Sequence, residues 1–485
     1  METVETEKEQ SLIASILSFS KLANDEDNYA IATQGMQSLL SRVLENDAAI
    51  DDVRIDKRYV ESLIDELDEK LSMQMDEVIH NAIFQALESP WRSLKLLTDR
   101  TEFSENIKIE LLSVSQNELL EDFEDTADIT ETGLYRKVYT DEFGQFGGDP
   151  YGVIIGNYSL SPSSPDMRLL TYMSSLSAMT HAPFITSASE SFFGLEDFSE
   201  LPDLKQLEAM FEGPQYLSWR NFRNSVDARN VGLTLPKFML RHTYGENIPV
   251  RSFNYQEAIT DKSDYLWGNA AFAYATRLNS SFANYRWCPN IIGPQSGGEV
   301  ADLPINIVND SGTDKVVGPV EVKISDRKEY ELSELGFIPL TLRKDSDSAV
   351  FFSSNSVQEP KKFSNDEEGR QAQINYKLGT QLPYLFIVNR LAHYIKVLQR
   401  ENLGSWKSRA ELETELNKWI RQYVADQDNP SAATRSQRPL RKASISVTEM
   451  ETDAGWYKVG LDVTPHFKFM GASFTLSLTS ILERA

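Results

Sequence analysis

Gly293 to Gly298, in the order GPQSGG, is the part of this chain that most looks like a ligand cradle. Glycine amides in a tight loop can nest an anion, but a phosphate there also needs a cation nearby. Here Glu299 and Asp302 follow at once and no lysine is close, so the stretch reads as a structural turn. Cys288, between Trp287 and Pro289, reads as a small buried hydrophobe and not as a nucleophile. The histidines His80, His181, His242, His393 and His466 form no HExxH pattern and no close pair, so no metal site is prefigured. His393, within LAHYIKVL, reads as a core or interface residue, and His466 as a strand-end residue bonded to backbone. There is no GxxxxGK[ST] loop, no GxGxxG after a strand and no GxSxG elbow. FGQFGGD (143–149) is glycine-rich but precedes a strand, the wrong order for phosphate at a helix N-terminus. Acidic clusters such as Asp25-Glu26-Asp27 are too common in this chain to mark an acid/base pair. The pattern points to a protein that packs and assembles, without cofactor or catalytic residues.

One cysteine in 485 residues excludes an intramolecular disulfide and a cysteine-built zinc cage. With 48 basic and 73 acidic side chains the net charge is −25, which disfavours nucleic acid and anionic membrane. The charge is uneven: residues 1–89 carry 7 basic and 20 acidic groups, and 370–485 carry 16 and 11. Such an acidic head and basic tail fit head-to-tail assembly, and equally two solvated faces. METVETEKEQ has no apolar signal core and no run reaches membrane-spanning length. The expectation is a cytoplasmic protein with no membrane insertion.

The positioning elements follow from periodicity. Residues 1–88 read as acidic helices: short stripes at Leu12, Ile13, Ile16, Leu17 and at Ile31, Met36, Leu39, Leu40, Val43 precede a long helix from about Asp56. Its stripe, Val60, Leu63, Ile64, Leu67, Leu71, Met75, Val78, Ile79 and Ala82, needs a partner in this chain or another subunit. Ser89-Pro90 reads as the start of a new helix. IKIELLSV (107–114), YGVIIGNY (151–158), PFITSA (183–188) and NVGLTLP (230–236) read as strands, with helices from the Ser115–Glu118 capping box and from Ser164-Pro165 between them. This alternation implies an α/β domain with a largely parallel sheet. Trp267, Ala270, Ala271, Tyr274 and Leu278 fit one helix face. PVEVKIS, GFIPLTL and AVFFSS are strand-like, 366–425 is helical with a break at Asn402 and Gly404, and 425–442 reads as a linker. ASISVTEM (443–450), YKVGLDV (457–463) and SFTLSLTSIL (473–482) read as three terminal strands. The division expected is 1–88 helical, 89–300 α/β and 301–485 α+β.

In order along the chain stand ESPWRSLKLL (88–97), DEFGQFGGDPYGVIIGNY (141–158), APFITSAS (182–189), VGLTLPKFMLR (231–241), YLWGNAAFAYATRL (265–278), GGEVADLP (297–304), ELSELGFIPL (331–340), LPYLFIVNRLAHYIKVLQR (382–400), RPLRKASISV (438–447) and TPHFKF (464–469). On these motifs the chain resembles the large sheath subunit of the type VI secretion system, the TssC/VipB family. Residues 1–87 match only in being helical and acidic.

The resemblance implies a contractile-sheath-type α/β subunit with a helical N-terminal region and a C-terminal domain ending in strands. It implies a small sheath subunit as partner, neighbouring protomers, inner-tube hexameric rings, a baseplate and, indirectly, a disassembly ATPase. The sheath of another contractile machine, such as a phage tail, and an α/β enzyme are the competing readings. The family interlocks protomers through shared sheets, and here Ser444, Ile445, Ser446, Val447, Phe474, Thr475, Leu476 and Leu478 are the expected inter-subunit strand residues. Lys407, Arg409, Arg435, Arg438, Arg441 and Lys442 are the expected cations for docking on the inner tube or the small subunit. Proline removes a backbone donor. Ser446→Pro or Thr475→Pro should therefore abolish sheaths seen by negative-stain microscopy while leaving the α/β domain folded; normal sheaths would refute the shared-sheet expectation.

Overall fold

The computed structural model describes residues 34–35, 38 and 57–483, apart from 146, 246–247, 311–312, 345, 365, 402–407, 428–429, 450–455 and 467–475. Two compact units emerge, one of 1–79 with 243–260 and one of 80–242 with 261–485.

In the first unit, helix α1 (Lys57–Ile79) carries Asp68, Ser72 and Asp76 four residues apart, on one face. That face holds the returning segment. Asp68 accepts from the Asn254 amide, Ser72 from Gln256 and Asp76 from Ala258, while the Tyr255 hydroxyl donates to Asp76 at 2.6 Å. The expected apolar stripe is thus not what α1 buries here: Ile64, Leu67, Leu71, Met75 and Val78 are all exposed. The helix also ends at Ile79, short of the expected Ala82, because Asn81 caps a new helix by accepting from the Ile83 amide at 2.9 Å. The earlier stripes of residues 12–43 lie almost wholly outside the described residues.

The second unit begins with α2 (Ala82–Asp99), and Pro90 lies inside it, not at a new start. Proline costs a helix interior about 3 kcal/mol. Here Ser89 donates to the Trp267 carbonyl and Ser93 and Leu97 are buried, so tertiary contacts hold the helix through it. Residues 107–114 form no ladder, contrary to the strand expectation. The segment runs beside the first strand and is tied by side chains, Lys108 to Asp149, Glu110 to Tyr151, and the Tyr158 hydroxyl to the Val114 carbonyl at 2.9 Å. Leu111 and Leu112 break its alternation and are both exposed, so no single apolar face exists to pin a register. Helix α3 (Gln116–Glu124) follows, started by the expected Ser115–Glu118 capping box.

The strands expected at 151–158, 183–188 and 230–236 are present as β1 (Ile154–Leu160), β2 (Phe184–Ala188) and β3 (Val231–Leu235), with α4 (Ser164–Thr180) between the first two. The short strands β4 (Phe238–Met239) and β5 (Trp267–Gly268) pair with each other. Trp267 therefore precedes the helix on which it was expected; α5 (Ala270–Tyr285) starts only after the Asn269 cap. Then come β6 (Glu299–Val300), a hairpin of β7 (Asn306–Asp310) and β8 (Thr313–Val317), α6 (Asp326–Glu334), β9 (Phe337–Leu342) and β10 (Ala349–Phe351). PVEVKIS is not a strand; Val320 makes only a single bridge, to Phe238. The main sheet has the order β1-β2-β3-β9-β10-β6, parallel from β1 to β9 and antiparallel thereafter.

Strand alternation divides this sheet between two cores. Phe184, Val231, Leu233, Leu235 and Phe337 face α3 and α4, while Ile185, Ile338 and Leu340 face Ala270, Ala271 and Tyr274 of α5. Phe337 sits among Trp219, Phe192, Phe193 and Phe211, with ring centroids 5.2 to 5.9 Å away. The C-terminal part continues with α7 (Glu367–Gly379), α8 (Leu382–Glu401), α9 (Arg409–Ile420) and α10 (Ala432–Gln437). The break expected at 402–404 falls between α8 and α9, outside the described residues. The expected linker 425–442 instead contains α10 and the start of the next strand, because Ser431 caps α10. The chain closes with β11 (Leu440–Glu449), β12 (Trp456–Pro465) and β13 (Leu476–Glu483) in an antiparallel sheet.

Helix α8 meets the end of α4 through a histidine pair. His393 Nε2 lies 2.8 Å from the Thr180 carbonyl, and its ring stands 5.9 Å from that of His181. Burial, with Lys396 nearby, pushes His181 down to about 3 and His393 down to about 4. Both are neutral bases in the fold, so the unfolded chain binds more protons than the folded one between about pH 6.5 and 4. Stability should fall as pH drops through that window, by up to about 1.4 kcal/mol per pH unit for each group. His393→Gln should be less stable at pH 7 yet lose less on acidification, as read by urea unfolding at pH 7 and 5; parallel losses in the two proteins would refute this.

Candidate assembly interface

The C-terminal sheet is built by alternation. Ile445, Val447, Val459, Leu461 and Val463 are buried against Leu412, Leu416 and Ile420 of α9 and Leu391 and Ile395 of α8. Lys442, Ser444, Ser446 and Thr448 lie on the opposite, exposed face. α9 is positioned by a capping box in which Ser408 and Glu411 satisfy each other's backbone amides.

Which backbone groups remain for a partner follows from the ladder. The Ile445 N–H and C=O both engage Asn417 of α9, so they point away from β12. In an antiparallel ladder successive residues alternate in direction. Ser444, Ser446 and Thr448 therefore bond to Asp462, Gly460 and Lys458, while Ile445 and Val447 face the outer rim. By the same parity Tyr457, Val459, Leu461 and Val463 bond to Leu482, Ser480, Leu478 and Leu476, and Ser477, Thr479 and Ile481 face outward on β13.

The outer rim of β11 is largely occupied. The Asn417 amide accepts from Ile445 N–H at 3.0 Å and donates to Ile445 C=O at 2.6 Å, imitating a paired strand residue. Further along, Ala425 N–H donates to Leu440 C=O at 2.9 Å, with Val424 in a parallel bridge to Leu440. His466 ties this corner down through Ala425 C=O at 2.7 Å. Burial, and then Arg441 and Arg435 beside it, lower the His466 pKa.

Of the expected strand residues, Ile445 and Val447 have their side chains in the subunit's own core and could meet a neighbour only through backbone. Ser444 and Ser446 expose their side chains but spend their backbone on β12. Leu476 and Leu478 likewise face β12, and Phe474 and Thr475 lie outside the described residues. Of the expected cations, Arg435, Arg438 and Lys442 are exposed around α10 and the start of β11, with Arg441 half-buried beside them. Arg409 is exposed at the start of α9, and Lys407 lies outside the described residues. Asn417 was not foreseen. Its one signal is position: an amide one residue past Leu416, bordering the apolar face of α9.

Elsewhere the suspected chemistry is structural. A Cβ on Gly298 would stand 2.6 Å from the Phe351 carbonyl, and the Gly293 and Gly298 amides are spent on Phe351 and Gly293 carbonyls, so GPQSGG is a turn packed on β10. Burial pushes the Cys288 thiol up to about 11, which keeps it protonated. Among the described residues no group of His, Cys, Asp and Glu could hold a metal, and no helix is long and apolar enough to cross a membrane.

The α/β body is followed by a three-stranded sheet with backbone positions turned away from its own ladder, the kind of edge to which a strand can add. The EvpB/VC_A0108 tail sheath N-terminal domain matches residues 61–358, and the tail sheath gpW/gp25-like domain of the same family matches 371–482. The chain belongs to this VipB family of tail sheath proteins, which bears out the resemblance read from its motifs. It is 37% identical to the type VI secretion system sheath protein TssC1 of Pseudomonas aeruginosa, over 99% of this chain and 96% of that protein. Among solved structures, the sheath tail protein Lin1278 of Listeria innocua is 8% identical with a TM-score of 0.33, covering 68% of this chain and 57% of that one. A chain of the anti-feeding prophage baseplate is 10% identical with a TM-score of 0.32, covering 79% and 81%. Likenesses this weak carry no argument.

Removing the Asn417 amide leaves two backbone groups without their partner. Asn417→Ala should cost about 1–3 kcal/mol in urea unfolding and speed hydrogen exchange at Ile445; unchanged exchange there would show that the amide does not close the rim.

Proposed function

We propose that this chain is the large subunit of a type VI secretion contractile sheath. In this reading it pairs with a small sheath subunit, stacks with neighbouring protomers around inner-tube hexameric rings on a baseplate, and contracts in the cytoplasm. Its role is structural, it needs no cofactor, and a disassembly ATPase acts on the sheath mainly through the small subunit. The single observation that carries the reading is the 37% identity to a type VI sheath protein along nearly the whole of both chains.

The geometry supports two modes of contact. Outward backbone positions on the C-terminal sheet suit strand addition from a neighbour. The exposed stripe of α1, bordered by Glu61, Asp65, Glu66 and Glu69, suits an amphipathic helix of the small subunit. The exposed cations Arg435 and Arg438, with Arg441, are candidates for the inner tube.

Co-expression with the small subunit should turn a poorly behaved single chain into tubular particles visible by negative stain; a well-behaved monomer that never assembles would favour the enzyme reading. Reversing Arg435, Arg438 and Arg441 to Glu should reduce inner-tube co-purification several-fold without preventing sheath formation. Unchanged co-purification would remove these residues from the tube contact.

A further inference from the structure

We infer that residues 135–145 are a strap that braces helix α8 against the α/β body, and that protonation of the histidine pair beside it releases the strap. The glycine-rich FGQFGGD stretch (143–149), which has no part in the assembly surfaces above, begins within this strap.

The strap is anchored at its start, where Asp122 accepts the Gly133 and Leu134 amides and Leu134 is buried in the core with α3 and α4. From there a wide turn, closed by the Asp141 N–H on the Arg136 carbonyl at 2.8 Å, aligns Tyr135, Tyr139 and Phe143. Their rings stand 5.1 and 4.9 Å apart, and the row continues from Phe143 to His393 at 5.7 Å and on to His181 at 5.9 Å. Gly144 leaves no room for a side chain, since a Cβ would stand 2.7 Å from the Thr140 carbonyl. Two cations of α8 hold the row. Lys396 Nζ lies 5.3 and 5.2 Å from the Tyr139 and Phe143 ring centroids, and Arg400 donates to the Phe143 and Gln145 carbonyls at 2.6 and 2.5 Å. Leu391 and Ile395, each two residues from His393 and so on the far side of the helix, are buried with β11 and β12. One helix thus carries the C-terminal sheet on one side and the strap on the other.

The charges around the histidines are of one sign. Lys396 acts on both, Arg390 acts on His393, and among the described residues no carboxylate acts on either. Asp141 and Glu142, within the strap, act on Tyr151 instead. In the turn 227–230, which α8 also meets, Asp227 accepts from Ser175 and Arg229 donates to the Val226 carbonyl. Tyr139 stays protonated, because burial raises its pKa. Burial pulls Lys396 down to about 8, which leaves it charged at pH 7. A proton on either imidazole therefore adds a like charge where burial already penalises one. Phe143 covers His393 and is followed by the exposed Gly144 and Gln145, so lifting the strap brings water to the new charge.

Hydrogen exchange with mass spectrometry on the purified full-length protein, corrected for intrinsic exchange, tests the release. Each proton taken up should raise the opening constant of 135–145 about tenfold per pH unit between pH 6.5 and about 4. Residues 393–400 should open in the same step while β2 and β3 stay closed. Flat protection across 135–145 overturns the inference. So does a strap that opens while 393–400 stay protected, since it then braces nothing. Loss of β2 and β3 in the same step is global unfolding and overturns it too. In the double variant His181→Asn, His393→Gln neither side chain can titrate, and the strap should stay as closed at pH 5 as at pH 7. Release as in wild type would show that the histidines are not the trigger. Lys396→Met keeps bulk over the rings and removes the charge that opposes the incoming proton, so release should move to lower pH; an unmoved midpoint overturns the repulsion.

Discussion

Backbone N–H and C=O groups at the rim of a sheet must find a partner or stay in water, and how this chain meets that constraint at each rim decides how the molecule can be used. The main sheet hides its edges. Beyond β1 the segment 107–114 is tied alongside by Lys108, Glu110 and the Tyr158 hydroxyl. At the other end β6 is only two residues long, too short to template another strand. The C-terminal sheet behaves differently. One rim is met by an asparagine amide and a short return of chain, and among the described residues no strand or bridge pairs with the other.

A subunit that transmits force needs its bonded elements to resist shear while its contacts repack. The body is suited to this. Its parallel strands β2 and β3 are buried along their whole length, between two cores that share the sheet but not their side chains. Phe337, among four aromatic rings on one side, and Tyr274, bonded to Ser354 at 2.6 Å on the other, fix both faces. Interiors packed in this way respond as solids, so displacement at one end is passed on instead of absorbed.

The sequence made the local rules legible and left hidden what depends on distant partners. The capping box at Ser115, the apolar runs at 183–188 and 230–236 and the three terminal strands could be read directly, because each signal lies within a few residues of its effect. Pro90 misled because the contacts that hold α2 through it come from Trp267, far along the chain. IKIELLSV misled for the opposite reason: its composition suits a strand, but a ladder needs a neighbour in register and it is held only by side chains. The proposed interface could be read as a set of strands and not as atoms. The family resemblance pointed to Ser444 to Val447, yet which of them turn their backbone outward is seen only in a contact to Asn417, a residue whose type says nothing alone.

Helix α1 shows the same logic in an inverted form. An amphipathic helix ordinarily buries its apolar face because hydrophobic burial outweighs a few hydrogen bonds. Here Asp68, Ser72 and Asp76 accept from the backbone amides of Asn254, Gln256 and Ala258, and the polar face is the one engaged. The apolar stripe is left facing outward as a consequence. Among the described residues the chain thus offers two kinds of surface for a partner, the apolar stripe of α1 in one unit and a strand rim in the other. Apolar area is non-directional and tolerates sliding. A strand rim accepts only one register at a time, because a one-residue slip turns every side chain over. In the proposed sheath the rim would hold neighbours in fixed register while the stripe lets the partner shift, and a lattice that changes its pitch without coming apart needs both.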